Sequence, residues 1–137
     1  PLNYNFVHRL KNDFPDNNFI INGGIKTITE IQEQLKLVDG VMIGREAYHN
    51  PWKIAEIDKQ IFEREGKIFT RKQVVENMLP FIEKQTENGI PVHQITRHMM
   101  GLFKGMPRAK LWRQHLSKIG MEKTKDVKML ENALLQI

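Results

Sequence analysis

The sequence has 137 residues, of which 40% are hydrophobic and 27% charged, a composition typical of a globular protein. It contains neither an apolar run near the ~20 residues of a membrane-spanning helix nor a signal peptide, so we expect a cytoplasmic protein without membrane contact. It contains no cysteine, which excludes disulfides, thiolate metal ligands and a cysteine nucleophile among these residues; we expect no metal site.

The first third of the chain alternates helical and strand patterns. We predict a helix over 2–10, a strand over 18–21, a helix over 28–37 and a strand over 40–43. This order is typical of a parallel sheet. Both strands are continuous apolar runs, as expected for parallel strands covered on both faces. Two strands cannot supply that cover. Since the chain also begins without methionine, we expect a piece of a longer protein, and association of copies is another way to cover the strands.

A glycine loop follows the first strand. Asn22-Gly23 often marks a hairpin, but here it precedes Thr27 and Glu30 at the spacing of a capping box, and then a helical pattern. We therefore predict a strand-to-helix loop.

The remainder of the chain is predicted to be helical. After a short segment at 45–49, a helix begins near Asn50-Pro51 and reaches about residue 65. A capping box at Thr70 and Gln73 precedes a helix that contains Pro80, and further helices follow over 92–103, 105–119 and 126–135. We predict two domains, an α/β part over 1–66 and an all-helical part over 67–137.

Two glycine loops predict a phosphate site. Gly23 and Gly24 follow the first strand and Gly44 follows the second, and the carboxyl ends of neighbouring parallel strands lie side by side. Backbone N–H groups at a helix start, without a Cβ to obstruct them, suit an anion. TIM barrels use the loops after their last two strands in this way. Arg45 could add a charged contact, its alternative role being an ion pair with Glu46.

The excess positive charge lies in one segment. Between Asn88 and Met121 there are six basic and no acidic residues, whereas the rest of the chain has 15 basic and 16 acidic residues. We call 88–121 the acid-free stretch. Ordinary solvated helix faces tend to mix signs, so this pattern favours contact with nucleic-acid phosphates. The spacing of Trp112 predicts a core position rather than base stacking, and we expect the methionines Met99, Met100 and Met106 to pack internally.

Three motifs occur in order: INGGIKT, DGVMIGREAYHNPW and ITRHMMGLFKGMPRAKLWRQHL. Over essentially its whole length, the chain resembles the C-terminal part of bacterial tRNA-dihydrouridine synthases of the A-type subfamily. The resemblance implies the end of a (β/α)8 TIM barrel, with the last two parallel strands in 1–66, followed by a helical bundle that binds tRNA. It also implies FMN as cofactor, NADPH as reductant and reduction of the D-loop uridines 20 and 20a to dihydrouridine.

The resemblance also assigns roles to residues. It implies an FMN phosphate site at Asn22, Gly23, Gly24, Gly44 and Arg45, mostly through backbone N–H groups. Within the acid-free stretch we expect tRNA to contact Arg97, His98, Lys104, Arg108, Lys110 and Arg113.

No catalytic residue is assigned to this chain. The resemblance implies a proton-donating cysteine on an earlier loop, so we expect the chain to be inactive alone. Separately, we expect the intact enzyme to be a monomer. His8 and His49 are candidates by residue type only, and a lone histidine is more often structural.

Two other functions fit parts of the pattern. Another FMN- or phosphate-binding TIM-barrel oxidoreductase would share the glycine loops but would not need the basic tail. A non-catalytic helical RNA-binding or interaction module would need the tail but not the glycines.

Overall fold

The computed structural model describes residues 1–66, 69–122 and 126–137. The chain divides into two compact units. Unit 1 comprises Pro1–Ala47 and Lys53–Glu65, and unit 2 comprises Tyr48–Trp52 and Gly66–Ile137. None of the described helices is both long enough and apolar enough to cross a membrane.

Unit 1 is built around two parallel strands joined by a helix. Ile20 pairs with Gly40 and Asn22 with Met42, which agrees with the predicted parallel order. In chain order the elements of this region are α1 (Tyr4–Asp13), β1 (Ile20–Asn22), α2 (Ile28–Leu35), β2 (Gly40–Met42), α3 (Arg45–His49) and α4 (Trp52–Gln60). The last residues of α3 and the first of α4 belong to unit 2.

The start of α2 has the predicted capping box. The N–H of Glu30 donates to the hydroxyl of Thr27 at 3.1 Å, and the Glu30 carboxylate accepts from the N–H of Thr27 at 2.8 Å. The segment after Asn22 is therefore a strand-to-helix loop, as predicted, and not a hairpin.

The strands of unit 1 are covered on one face only. Ile21 is buried together with Ile25, Ile31 and Val38. The neighbouring Ile20 is 69% exposed and Met42 is 54% exposed. The cover that we expected on both faces of the sheet is thus not supplied by the described residues.

Unit 2 is helical. Its α5 begins with the predicted capping box, in which the N–H of Thr70 donates to Gln73 Oε1 at 2.8 Å, and Pro80 lies inside this helix. The elements are α5 (Arg71–Glu87), α6 (Val92–Thr96), a 3₁₀ turn (Arg97–Met99), α7 (Ala109–Glu122) and α8 (Lys128–Leu135).

Trp112 lies at the centre of unit 2. It is fully buried, its indole N–H donates to the Met99 carbonyl at 2.9 Å, and its ring centroid is 4.9 Å from that of Phe103. The predicted core position of Trp112 is confirmed, as is internal packing of Met99, but Met106 is 48% exposed and that prediction was wrong. The buried core comprises Val75, Ile82, Val92, Met99, Leu102, Phe103, Trp112, Leu116, Ile119, Leu130, Ala133 and Leu134.

Three predicted helices have different ends in the structure. The helix predicted over 92–103 ends at Thr96, and the chain continues through tight turns. In one of these turns the N–H of Leu102 donates to the Met99 carbonyl. The Met99 carbonyl also accepts the Trp112 indole, a tertiary bond that the local pattern does not reveal. The following helix starts after Arg108, whose φ of 61° is left-handed, and α4 ends before Glu63, whose φ is 48°.

Candidate functional site

The two glycine loops leave the same edge of the sheet. In the parallel register Asn22 lies opposite Met42, so the chain continues from both strands at one end, about 4.8 Å apart. Gly23 and Gly24 follow β1, and Gly44 follows β2 after one residue. The structure therefore brings the predicted phosphate-site residues of unit 1 into neighbouring positions.

Gly23 and Gly24 need to be glycine. Their φ angles are 131° and 66°, which side-chain-bearing residues rarely adopt. A Cβ at Gly23 would also lie 2.6 Å from Leu2 Cδ2. The hydroxyl of Tyr4 donates to the Gly23 carbonyl. The loop thus rests on Leu2 and Tyr4 on one side, and its carbonyl is held by Tyr4.

The N-terminus of α2 is already paired with a carboxylate. Glu30 accepts from the N–H groups of Lys26 and Thr27, each at 2.8 Å. These bonds, that from Lys26 first, hold the pKa of Glu30 below its ordinary value of 4.5. An anion at the glycine loops therefore cannot use those two N–H groups. The start of α2, which we expected to be part of the phosphate site, therefore does not contribute these N–H groups, and the glycines remain as the candidate donors.

The second loop is open. A Cβ built at Gly44 would meet nothing within 4 Å, and Gly44 and Arg45 are both exposed. Among the described residues, no protein group accepts a hydrogen bond from the N–H of Gly24 or Gly44, and no ion pair holds Arg45. The alternative ion pair of Arg45 with Glu46 is not formed. The N–H groups of Gly24 and Gly44 and the Arg45 side chain can therefore bind a phosphate without losing an existing hydrogen bond or ion pair.

The six predicted tRNA-contacting residues are all exposed, but they do not form one cluster. Arg97, Lys104 and Arg113 line one groove of unit 2 with a volume of about 580 Å³. Arg108 lines a second groove together with Arg71 and Lys72, and its guanidinium donates to the Gln136 carbonyl at 3.2 Å. Lys110 lies on α7 and lines neither groove. His98 stands edge-on to the ring of Tyr48, at 5.7 Å between centroids.

Residues 1–137 match the family model of dihydrouridine synthase (Dus). The chain belongs to this family. It is 48% identical over 134 residues to a tRNA-dihydrouridine(20/20a) synthase of Haemophilus ducreyi, a match that covers 98% of this chain and 42% of the relative. Relatives with the same name from Vibrio vulnificus and Synechocystis sp. are 43% and 42% identical, over 100% and 98% of this chain. The chain spans about 40% of the length of these relatives.

Family membership confirms the resemblance drawn from the three motifs. The mostly helical chain with two parallel strands is consistent with part of a dihydrouridine synthase. The match extends through the helical part as well as the glycine loops, so both candidate sites lie within the dihydrouridine synthase family region.

Four residues of the first groove were not predicted to bind a ligand from the sequence: Tyr48, His49, Met100 and Gly101. His49 was a candidate for catalysis only, and Met100 was expected to pack internally. Tyr48 and His49 lie within the motif DGVMIGREAYHNPW, 48 to 65 residues before the three cations of the groove. Only the fold brings them together. One partial indication that Tyr48 belongs to a functional region was present in the sequence, because Tyr48 lies in the same motif as Gly44 and Arg45.

The two candidate histidines have different surroundings. His8 Nε2 lies 2.8 Å from Gln34 Oε1, within unit 1. This contact joins α1 to α2, which indicates a structural role for His8. His49 lines the groove of unit 2 with Tyr48.

Proposed function

We propose that this chain supplies the flavin phosphate site and a tRNA-binding surface of an FMN-dependent tRNA-dihydrouridine synthase. The observation that carries the proposal is the pair of adjacent glycine loops, with Arg45 beside them, in a chain of the dihydrouridine synthase family. The relatives' printed name, tRNA-dihydrouridine(20/20a) synthase, supports reduction of uridines 20 and 20a. In this proposal the enzyme is cytoplasmic, as its tRNA substrate requires.

The fold fits the end of a TIM barrel. In this proposal β1 and β2 are the last two barrel strands within a domain over 1–66, and 67–137 form the helical tRNA-binding domain. Support comes from the parallel register and from the exposed apolar side chains of Ile20 and Met42, which the missing strands and helices would cover.

The residues of the loops fit the phosphate of FMN. The N–H groups of Gly24 and Gly44 have no protein acceptor among the described residues, and the space in front of Gly44 is open. When bound and reduced by NADPH, FMN would supply the hydride that reduces uridine. The part of this chain is to hold the phosphate through Asn22, Gly23, Gly24 and Gly44 and to balance its charge with Arg45.

The chain contains no cysteine, so the proposed proton donor lies outside it. We accordingly propose that the 137 residues bind substrate without reducing it. The expected result with unmodified tRNA, NADPH and FMN is no dihydrouridine above background. Turnover by this chain alone would contradict the division of roles.

The tRNA part is tested by charge removal. The variant Arg108→Ala, Lys110→Ala, Arg113→Ala should weaken tRNA binding at least tenfold and flatten its dependence on salt, because each lost phosphate contact reduces the slope of log K against log salt by ~0.7–0.9. Binding is measured by fluorescence anisotropy at several salt concentrations. The matched control removes the same charge from exposed positions outside the acid-free stretch: Lys36, Lys59 and Lys84.

Equal losses in the two triple variants would show that net charge alone attracts tRNA and would contradict the assigned surface. Equal losses are also expected if the protein is another FMN-dependent oxidoreductase, because binding of its substrate would not require the basic tail. The rival RNA-binding module predicts loss of tRNA binding in the first variant but no FMN binding in the unaltered chain.

A further inference from the structure

One groove of unit 2 combines cations with aromatic side chains. Its volume of about 580 Å³ lies within the ~300–1,000 Å³ range of small-molecule sites. Gly101 lies in its wall, and the other lining residues are Tyr48, His49, Arg97, Met100, Lys104 and Arg113. We call this the cation groove.

The cation groove carries an excess of positive charge. Three of its lining residues are cationic, and none of the described residues that line it is acidic. Arg97 and Arg113 are exposed, and neither has a hydrogen-bond or ion-pair partner within the ranges 1–66, 69–122 and 126–137. Two guanidinium groups in one concavity without acids attract an anionic ligand and can bind its oxygens in a bidentate manner.

The aromatic side of the cation groove is formed by Tyr48, whose ring is held by neighbouring side chains but remains accessible. The Tyr48 ring is packed edge-on by His49 and His98, with centroids 5.8 and 5.7 Å away and planes inclined by 74° and 76°. Tyr48 nevertheless remains 51% exposed. Edge-on packing orients a ring without covering both of its faces, so Tyr48 can offer a face to a planar ligand.

Gly101 allows the aromatic side of the groove, at Tyr48 and His49, to lie close to its cationic side. A Cβ at this position would lie 2.2 Å from the His49 carbonyl oxygen and 3.0 Å from Pro51 Cδ. Any side chain would push the 48–51 segment away. The absence of a side chain at Gly101 thus allows Tyr48 and His49 to sit beside Arg97 and Lys104.

The combination selects the class of ligand. An inorganic anion would satisfy the arginines but leave the Tyr48 ring and Met100 uncovered. An acidic peptide would bring charge without the planar ring that suits Tyr48. An unstacked nucleotide brings both, because its base stacks on aromatic side chains while its phosphates meet Arg and Lys.

We propose that the cation groove holds one unstacked nucleotide of a single-stranded RNA segment, with its base against Tyr48 and its flanking phosphates on Arg97, Lys104 and Arg113. This inference rests on the proposed function, since it locates one nucleotide contact within the tRNA-binding surface. It goes further by making Tyr48 a base-stacking residue, outside the acid-free stretch, and by requiring an unpaired nucleotide.

The charge test uses a fluorescein-labelled 12-nucleotide single-stranded RNA and the 137-residue chain. Arg113→Ala should weaken binding about tenfold and lower the salt slope by about 0.7, the value for one single-strand phosphate contact. Arg113 has no protein partner among the described residues, so its removal should not affect folding. The control is Lys118→Ala on the same helix, which removes equal charge outside the groove and should change affinity less than twofold.

The stacking test uses Tyr48 and the nucleobases. Tyr48→Ala should weaken binding about tenfold, whereas Tyr48→Phe keeps the ring and should stay within about twofold. An oligomer of equal length and charge in which every nucleotide is abasic should bind the unaltered chain about tenfold more weakly, and its affinity should be the same for Tyr48→Ala. A polyglutamate peptide of equal charge should compete poorly.

Two results overturn the inference without touching the proposed function. They are equal losses in Arg113→Ala and Lys118→Ala, and equal binding of the normal and abasic oligomers. Effective competition by polyglutamate would point to an acidic protein partner instead and would also overturn it. If the unaltered chain binds neither tRNA nor the oligomer, the RNA part of the proposed function fails together with this inference.

Discussion

Unit 1 and unit 2 differ in how much of their apolar surface they bury. Among the residues that the structure describes, unit 2 has a core of twelve buried residues centred on Trp112, whereas unit 1 has a core of four. Unit 1 has two strands of three residues, and Ile20 and Met42 remain exposed on them. Two-stranded sheets are marginal by themselves. We therefore expect the helical unit to maintain its own fold and the unit with the glycine loops to be the less stable of the two.

The largest expected effect on stability is at Trp112, in unit 2. Trp112→Ala should destabilise unit 2 by about 3–5 kcal/mol, because it opens a cavity and leaves the Met99 carbonyl without its indole donor. Trp52, which also belongs to unit 2, remains as a fluorescent reporter for urea unfolding. Phe81→Ala is the control, since Phe81 is 49% exposed and should cost less than half as much. Similar costs would mean that unit 2 lacks a specific core.

A smaller effect is expected in unit 1, at two neighbouring strand positions. Ile21 is 1% exposed and Ile20 is 69% exposed. Ile21→Ala should cost about 2–5 kcal/mol and Ile20→Ala about 0.5 kcal/mol or less. Hydrogen exchange of the β1 amides measures the loss. Both tryptophans lie in unit 2, so their emission should not change. A change in that emission with Ile21→Ala would show that the units are not independent in stability.

The smallest effect concerns acid. Asp39 accepts from the N–H of Phe19 at 2.8 Å and pairs with Lys11 at 2.9 Å, and these contacts, the backbone bond first, hold its pKa below the ordinary value of 3.8. Because the folded carboxyl binds its proton more weakly than the unfolded one, the stabilisation is complete above pH 3.8 and disappears as the pH falls through the lowered pKa. Glu30 acts in the same direction below 4.5.

The acid effect is read from the exchange protection of the Phe19 amide, which should fall as the pH drops from ~5 to ~2.5. Asp39→Asn should start with lower protection at neutral pH and should depend less on acid. An unchanged acid dependence in that variant would remove Asp39 from the account.

The parts of the fold that local chemistry determines were predictable from the sequence. Both capping boxes, at Thr27 and Thr70, need residues only three positions apart and are formed as predicted. The order of strands and helices in unit 1 was also predicted from apolar runs and glycines. The end of the helix at Thr96 was not, because it depends on the bond between Trp112 and Met99 and on the close contact of Gly101 with His49.

The candidate sites follow the same rule. Gly23, Gly24 and Gly44 could be predicted because they lie within two residues of the ends of the two strands. Adjacency of parallel strands is a general property. The use of the α2 start by Glu30 could have been inferred from the capping box, since the same carboxylate cannot leave those N–H groups available. The cation groove could not be predicted, because Tyr48 meets Arg97 and Arg113 only through tertiary packing.

In the proposed function a phosphate binds at the glycine loops of unit 1 and RNA binds on unit 2. NMR can locate both sites by following the backbone amides of the chain during titration with FMN, with riboflavin and with the 12-nucleotide RNA. We predict that FMN shifts the amides of Gly24, Gly44 and Arg45, that riboflavin, which lacks the phosphate, does not, and that RNA shifts residues of the cation groove. Equal shifts with FMN and riboflavin, or FMN and RNA acting on the same amides, would contradict the account.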